Sequence, residues 1–154
     1  MAQEIERKFL VKAGWQPQEQ GEKIAQGYLS TVPERTVRVR IKGNKGYLTI
    51  KGKNKGISRA EFEYEIPLSD AEALLGMAEP PVLTKTRYRE KHGGDIWEID
   101  VFAGENEGLI VAEIELAAED SKFFRPEWLG EEFSDDVRYY NANLIKSPYK
   151  LWKK

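Results

Sequence analysis

The sequence predicts a mainly β chain of the α+β class: an eight-stranded antiparallel β-barrel with a charged interior, flanked by a few helices. Three observations carry this expectation. Segment after segment alternates apolar and polar residues with a period of two, the signature of strands with one face toward a core and one away from it. The connections between these segments are short and rich in Gly, Pro and Asn. At about eight strands an antiparallel meander can close on itself and hold one small ligand inside.

The 154 residues fit one domain spanning 1–154. Charged residues make up 32% of the chain against 40% hydrophobic, with 24 basic and 26 acidic residues, so both signs are abundant and nearly balanced. A net charge of −2 argues against binding a nucleic-acid polymer, which needs an excess of Lys and Arg. There is no cysteine, which excludes disulfides, thiol catalysis and thiolate metal sites and fits a reducing compartment, so cytoplasm is the expected location. No leader-like apolar region and no run of about 18 apolar residues is present, so neither secretion nor membrane insertion is expected.

Residues 2–11 form the first expected strand, in which Glu4, Glu6 and Lys8 share one face and Ile5 and Phe9 the other. A polar connection broken by Pro17 leads to an extended run over 23–31, with Ile24, Gln26 and Tyr28 on one side. The clearest strand covers 36–42, where Val37, Val39 and Ile41 alternate with Arg38, Arg40 and Lys42. Gly43-Asn44-Lys45-Gly46 supplies a hairpin loop, and 47–53 returns with Thr49 and Lys51 opposed to Leu48 and Ile50. Residues 59–67 alternate Glu61, Glu63 and Glu65 with Phe62, Tyr64 and Ile66. Ser69 is placed to cap a helix over 69–77 that Pro80-Pro81 ends. Strands over 82–90 and 95–102 follow, joined by Lys91-His92-Gly93-Gly94, and they put Lys85 and Arg87 on one face and Glu98 and Asp100 opposite Trp97, Ile99 and Val101. The last expected strand, 109–116, carries Glu113 and Glu115. Pro126 starts a short helical turn, Ser134-Asp135-Asp136 caps a helix carrying Val137, Tyr140 and Leu144, and a basic tail follows Pro148.

Two arrangements of such a barrel compete. With the apolar rows inside, the surface would carry many cross-strand ion pairs, each worth at most about 1 kcal/mol. With the charged rows inside, the apolar rows need cover, and helices at 70–77 and 135–144 are available to give it. Phe9, Phe62, Tyr64 and Trp97 are too large for a bare exterior, which favours the second arrangement. Charges held inside must be paired, hydrated or ligated. Lys8, Arg38, Arg40, Lys51, Lys85 and Arg87 suit a ligand with several phosphate groups. Glu4, Glu6, Glu61, Glu63, Glu98, Asp100, Glu113 and Glu115 would repel it unless divalent cations intervened, and Mg2+ or Mn2+ is the natural bridge. Residue types alone therefore lead to a metal-dependent site for a polyanion.

The ordered set Glu4-x-Glu6-x-Lys8, Val37-Arg38-Val39-Arg40, Thr49-Ile50-Lys51-Gly52, Glu61-Phe62-Glu63, Lys85-Thr86-Arg87-Tyr88, Trp97-Glu98-Ile99-Asp100 and Ala112-Glu113-Ile114-Glu115 resembles the CYTH superfamily, the triphosphate tunnel metalloenzymes, in its short stand-alone bacterial form. The resemblance implies an eight-stranded tunnel in which Lys8, Arg38, Arg40, Lys51, Lys85 and Arg87 hold a triphosphate. It implies Glu4, Glu6, Glu113 and Glu115 as the principal metal ligands, with Glu63 and Asp100 either binding metal or orienting basic residues. Catalysis is expected from Glu4, Glu6 and Lys8, assisted by Tyr28 in proton transfer. The expected activity is hydrolysis of inorganic triphosphate or a small organic triphosphate to release orthophosphate. The alternatives are a class IV adenylate cyclase and a non-catalytic polyphosphate- or nucleotide-binding module. His92, Lys42, Lys53, Lys55, Arg59 and Arg89 are expected in solvated positions, and aromatic residues on a barrel exterior are compatible with a homodimer.

Overall fold

The structure, a computed structural model, describes residues 2–134, 136–139, 144 and 149, and for residues 2–4 and 137 the backbone alone. The chain runs β1 (Ala2–Val11), β2 (Glu22–Ser30), β3 (Arg35–Lys42), β4 (Lys45–Gly52), β5 (Ser58–Ile66), α1 (Leu68–Met77), β6 (Leu83–His92), β7 (Asp95–Phe102), β8 (Ile110–Glu115) and β9 (Leu129–Glu132). Short 3-10 turns cover Gly104–Asn106 and Val137–Tyr139. All pairings are antiparallel, in the order β5-β4-β3-β2-β6-β7-β8-β1, and β1 returns to β5 through residues 2–5 against 58–61. Eight strands therefore form a closed barrel. The ninth, β9, was not expected from sequence; it lies beside β1, with Phe9 opposite Glu132 and Val11 opposite Leu129.

Register keeps the alternation in phase from strand to strand. Arg38 faces Thr49, which faces Glu63, while the next row over runs Val39, Leu48, Tyr64. A slip of one residue would invert a strand and turn its charges outward. The charged rows face inward, as the sequence reading expects.

Three different elements cover or plug the apolar rows. α1 packs against β2, β3 and β4. Two glycines permit that approach: a Cβ on Gly27 would come within 2.7 Å of Ala78, and one on Gly46 within 2.6 Å of Ala71. The helix starts at Leu68 behind Pro67, with no side-chain cap, so Ser69 is not the cap that the sequence reading expects. The Pro67 carbonyl accepts the first backbone N–H groups instead, from Asp70 and Ala71.

The outer faces of β1, β7 and β8 carry Phe9, Trp97, Ile99, Ala112 and Ile114, buried beneath Leu116, Phe123, Trp128, Leu129 and Trp15. Trp97 is the hub, with ring centroids 5.5 to 5.6 Å from Trp128, Phe123 and Phe9 in edge-on geometry. Among the described residues this cover is the irregular segment 116–128 together with β9 and Trp15. Of the helix expected over 135–144, 137–139 form a 3-10 turn and most of the remainder, with the basic tail, lies outside the described residues.

Inside the barrel, the inward rows turn apolar toward one end. Tyr28, Leu83, Phe102 and Val111 meet Leu109, Phe133 and Leu144 there and form a buried plug. The interior is thus charged over part of its length and apolar at one end. On β5, Phe62 and Tyr64 stay 38% and 56% exposed, so the expectation that the large apolar residues are covered fails for this strand.

His92 is not the solvated turn residue expected from sequence. Its ring stacks on Phe124 at 5.7 Å, and Nε2 lies 3.0 Å from Glu90. Glu90 also accepts the indole N–H groups of Trp15 at 2.8 Å and Trp128 at 3.0 Å. Burial alone would raise the pKa of this carboxyl; His92, Trp15 and Trp128 together hold it below its ordinary value.

Trp97→Ala is expected to destabilise the protein by about 3–5 kcal/mol, because it empties the centre of the outer core. Urea unfolding followed by tryptophan fluorescence measures this.

A charged cavity as the candidate active site

The inward rows enclose a cavity of about 720 Å3. β1 contributes Glu6 and Lys8, β2 Tyr28, β3 Thr36, Arg38, Arg40 and Lys42, and β4 Thr49 and Lys51. β5 adds Arg59, Glu61 and Glu63, β6 Arg87 and Arg89, β7 Glu98, and β8 Glu113 and Glu115. Each set is spaced two residues apart, so strand geometry alone sends these side chains to the same side.

Most of the cations are already paired. Lys8 lies 3.3 Å from Glu6, Lys51 3.6 Å from Glu61, and Arg38 3.4 Å from Glu63. Thr49 completes the last group, accepting from Arg38 at 3.1 Å and donating to Glu63 at 2.8 Å. Arg87 makes a two-pronged contact with Asp100 at 2.8 and 2.9 Å, and its other amine reaches Glu98 at 3.3 Å. Arg40 differs. Its Nε donates to the neutral Gln26 carbonyl at 3.0 Å, and among the described residues no carboxylate stands within ion-pairing distance. Burial, then the charges of Arg38 and Arg87, push Arg40 down to about 9.

Two expected site residues sit behind the lining. Lys85 and Asp100, with side chains 0% and 1% exposed, lie 2.7 Å apart and do not line the cavity. Burial pulls Lys85 down despite Asp100, and Arg87 and Arg40 add to the effect. Burial would raise Asp100, but Lys85 and Arg87 override it and hold this carboxyl well below the usual carboxylate range. Both oxygens of Asp100 are taken by these cations. Of the two roles expected for Asp100, binding metal or orienting basic residues, these contacts fit the second.

The remaining carboxylates suit a hard cation. Register puts Glu6 directly opposite Glu115 and Glu98 directly opposite Glu113. Like charges facing each other across strands are unfavourable without an ion or cationic group between them. Among the described residues no three carboxylates already converge as a ready-made cluster, so phosphate oxygens and water would have to complete any coordination shell. The Glu4 side chain lies outside the described residues, although its backbone pairs with Arg59.

Of the residues singled out from sequence, the structure brings Glu6, Lys8, Tyr28, Arg38, Arg40, Lys51, Glu63, Arg87, Glu113 and Glu115 to one cavity. Lys42, Arg59 and Arg89, expected in solvent, also line it. The signal for Lys42 and Arg89 was available, since each continues the row of Arg40 or Arg87. Gln26 had no such signal, being uncharged and unremarkable in its segment.

The CYTH domain model matches residues 2–149. The chain belongs to the CYTH family. This CYTH protein is 47% identical to an inorganic triphosphatase of Acetivibrio thermocellus over 155 residues, covering 99% of each chain. It is 38% identical to an inorganic triphosphatase of Nitrosomonas europaea, covering 94% of this chain and 97% of the relative. A crystal structure of an inorganic triphosphatase, 36% identical, superposes with a TM-score of 0.67 over 93% of this chain and 97% of that one. A solved protein from Pyrococcus furiosus, 22% identical with a TM-score of 0.57 over 76% and 80% of the two chains, shares the fold alone.

Asp100→Asn leaves Arg87 and Lys85 without their buried counter-charge and is expected to destabilise the protein by about 3–5 kcal/mol near neutral pH. Because the folded state depresses this carboxyl, its contribution is present above about pH 4 and is lost as pH falls below that. The gap in melting temperature between wild type and variant should therefore narrow on acidification, which a thermal-melt series across pH measures.

Proposed function

We propose that this CYTH protein is a divalent-metal-dependent phosphohydrolase that cleaves inorganic triphosphate and releases orthophosphate. The observation that carries the reading is a closed barrel whose bore sets guanidinium and ammonium groups beside cross-strand carboxylate pairs. The two curated relatives named as inorganic triphosphatases support the choice of substrate. A cavity of about 720 Å3 falls within the ordinary range for small-molecule sites, about 300–1,000 Å3.

In this reading Arg38, Arg40, Arg87, Lys8 and Lys51 bind the phosphate oxygens, with Lys85 supporting Arg87 through Asp100 from behind. Glu6, Glu113 and Glu115, with Glu4 from the sequence resemblance and Glu63 in a secondary place, would hold Mg2+ or Mn2+. A bound divalent cation supplies charge neutralisation at phosphate oxygens and a coordinated water of lowered pKa. Tyr28, opposite Arg38 in register and lining the cavity, handles a proton during attack or departure. The arginines hold the chain in line for displacement, which is most of what phosphoryl transfer asks of a protein. We read the chain as one cytoplasmic domain over 1–154 that acts on a small molecule, not on a nucleic-acid polymer or at a membrane; no described helix is long and apolar enough to cross one.

The test is a phosphate-release screen over inorganic triphosphate, thiamine triphosphate, ATP and pyrophosphate with Mg2+ and with Mn2+. Inorganic triphosphate should be the best substrate; cyclic nucleotide from ATP, or binding without turnover under every metal, would overturn the reading. Glu6→Gln should lower turnover by more than about tenfold at limiting metal, with partial recovery as metal is raised. Arg38→Ala should raise KM by about tenfold or more and change kcat less.

A further inference from the structure

Gln26 is wholly buried on β2, directly opposite Arg40 on β3, in the same inward row as Tyr28. Its Oε1 accepts the Arg40 Nε–H at 3.0 Å, which fixes the amide orientation and leaves Nε2 as the donor half of the group. That Nε2 has no hydrogen-bond partner among the described residues. A buried, unsatisfied amide donor weakens a fold, and here that cost is offset only by the acceptor the same amide gives Arg40. A carboxylate would serve Arg40 better still as a partner, because charge-assisted bonds are stronger. The surrounding cations show what a carboxylate does. Lys8, Lys51, Arg38, Arg87 and Lys85 each stand against one. Arg40 stands against a neutral carbonyl, beside Arg38 and Arg87, whose charges oppose its own.

We propose that Gln26 is a positioning residue that orients the Arg40 guanidinium without neutralising it, so that the charge of this cation is reserved for the bound oligophosphate. The inference rests on the hydrolase reading for its substrate and adds to it a determinant of anion affinity that does not touch the reacting atoms. A neutral acceptor at Nε locks the plane of the guanidinium and leaves both Nη groups for the ligand. The unpaired buried charge is unfavourable in the empty protein and is relieved when the anion arrives, so binding is strengthened at the expense of the free state's stability.

Two substitutions separate orientation from charge. Gln26→Glu supplies a carboxylate at the same place: the empty protein should melt at a higher temperature, KM for inorganic triphosphate should rise by about tenfold or more, and kcat should stay within about threefold. Gln26→Met leaves Arg40 charged but unaligned, so KM should rise by a smaller factor, about threefold to fivefold, without the gain in melting temperature shown by the Glu variant. The thermal shift induced by inorganic triphosphate should shrink in both, most in Gln26→Glu. A Gln26→Glu protein with unchanged KM and unchanged ligand-induced shift overturns the proposal, as does one in which kcat falls and KM does not. If wild-type protein releases no phosphate at all, the hydrolase reading fails, and the ligand-induced shifts of the three proteins still decide whether Gln26 governs anion affinity through Arg40.

Discussion

Closure of β1 onto β5 couples the phase of every strand in the barrel. In an open sheet one strand can slip and expose its own side chains without disturbing the far edge; in a closed ring the register of each pairing constrains all the others. Pairing of residues 2–5 with 58–61 is the short seam that completes this ring. The inward projection of Glu6, Lys8, Arg38, Arg40, Arg87 and Glu113 follows from it, since each is placed by count along its strand and not by a local contact.

The charges so placed are organised by partner as much as by position. Where a cation faces a carboxylate across neighbouring strands, as Lys51 faces Glu61, the pair is self-sufficient and strengthens the wall. Where carboxylate faces carboxylate, as Glu6 faces Glu115, the like charges need a cation close by, and Lys8 stands 3.3 Å from Glu6. Arg40, facing a neutral amide, has no carboxylate at ion-pairing distance among the described residues. An anionic ligand has the charge that complements it.

The fold was legible in the sequence because period-two alternation survives in nearly every strand, and because a charged inner row contrasts sharply with an outer row of Val, Ile and aromatic residues. β9 was not legible: Leu129–Glu132 is four residues long, contains a glycine, and owes its strand conformation to pairing with β1. Charge made much of the cavity lining legible, although Lys42, Arg59 and Arg89, charged as well, were expected in solvent. Period two places a side chain on a face but does not say how far along the bore it lies, so Lys85 and Asp100 were grouped with the lining although they sit beneath it. The same limit hid the apolar end of the interior, since period two puts Leu83, Phe102 and Val111 on the face of the charged rows of β6, β7 and β8 but does not show that they meet at one end.

Glu90 illustrates how a surface wrap without regular structure is held. A single carboxylate receives two indole donors from stretches of chain 75 and 38 residues away. In effect it is a rivet joining three stretches of sequence, a non-covalent crosslink that works beside the ring contacts of Trp128 with Trp97 and of Trp15 with Tyr88. The detours that run from Trp15 and into Trp128 are thereby closed into loops of fixed circumference, which narrows the freedom of chain that forms no regular structure.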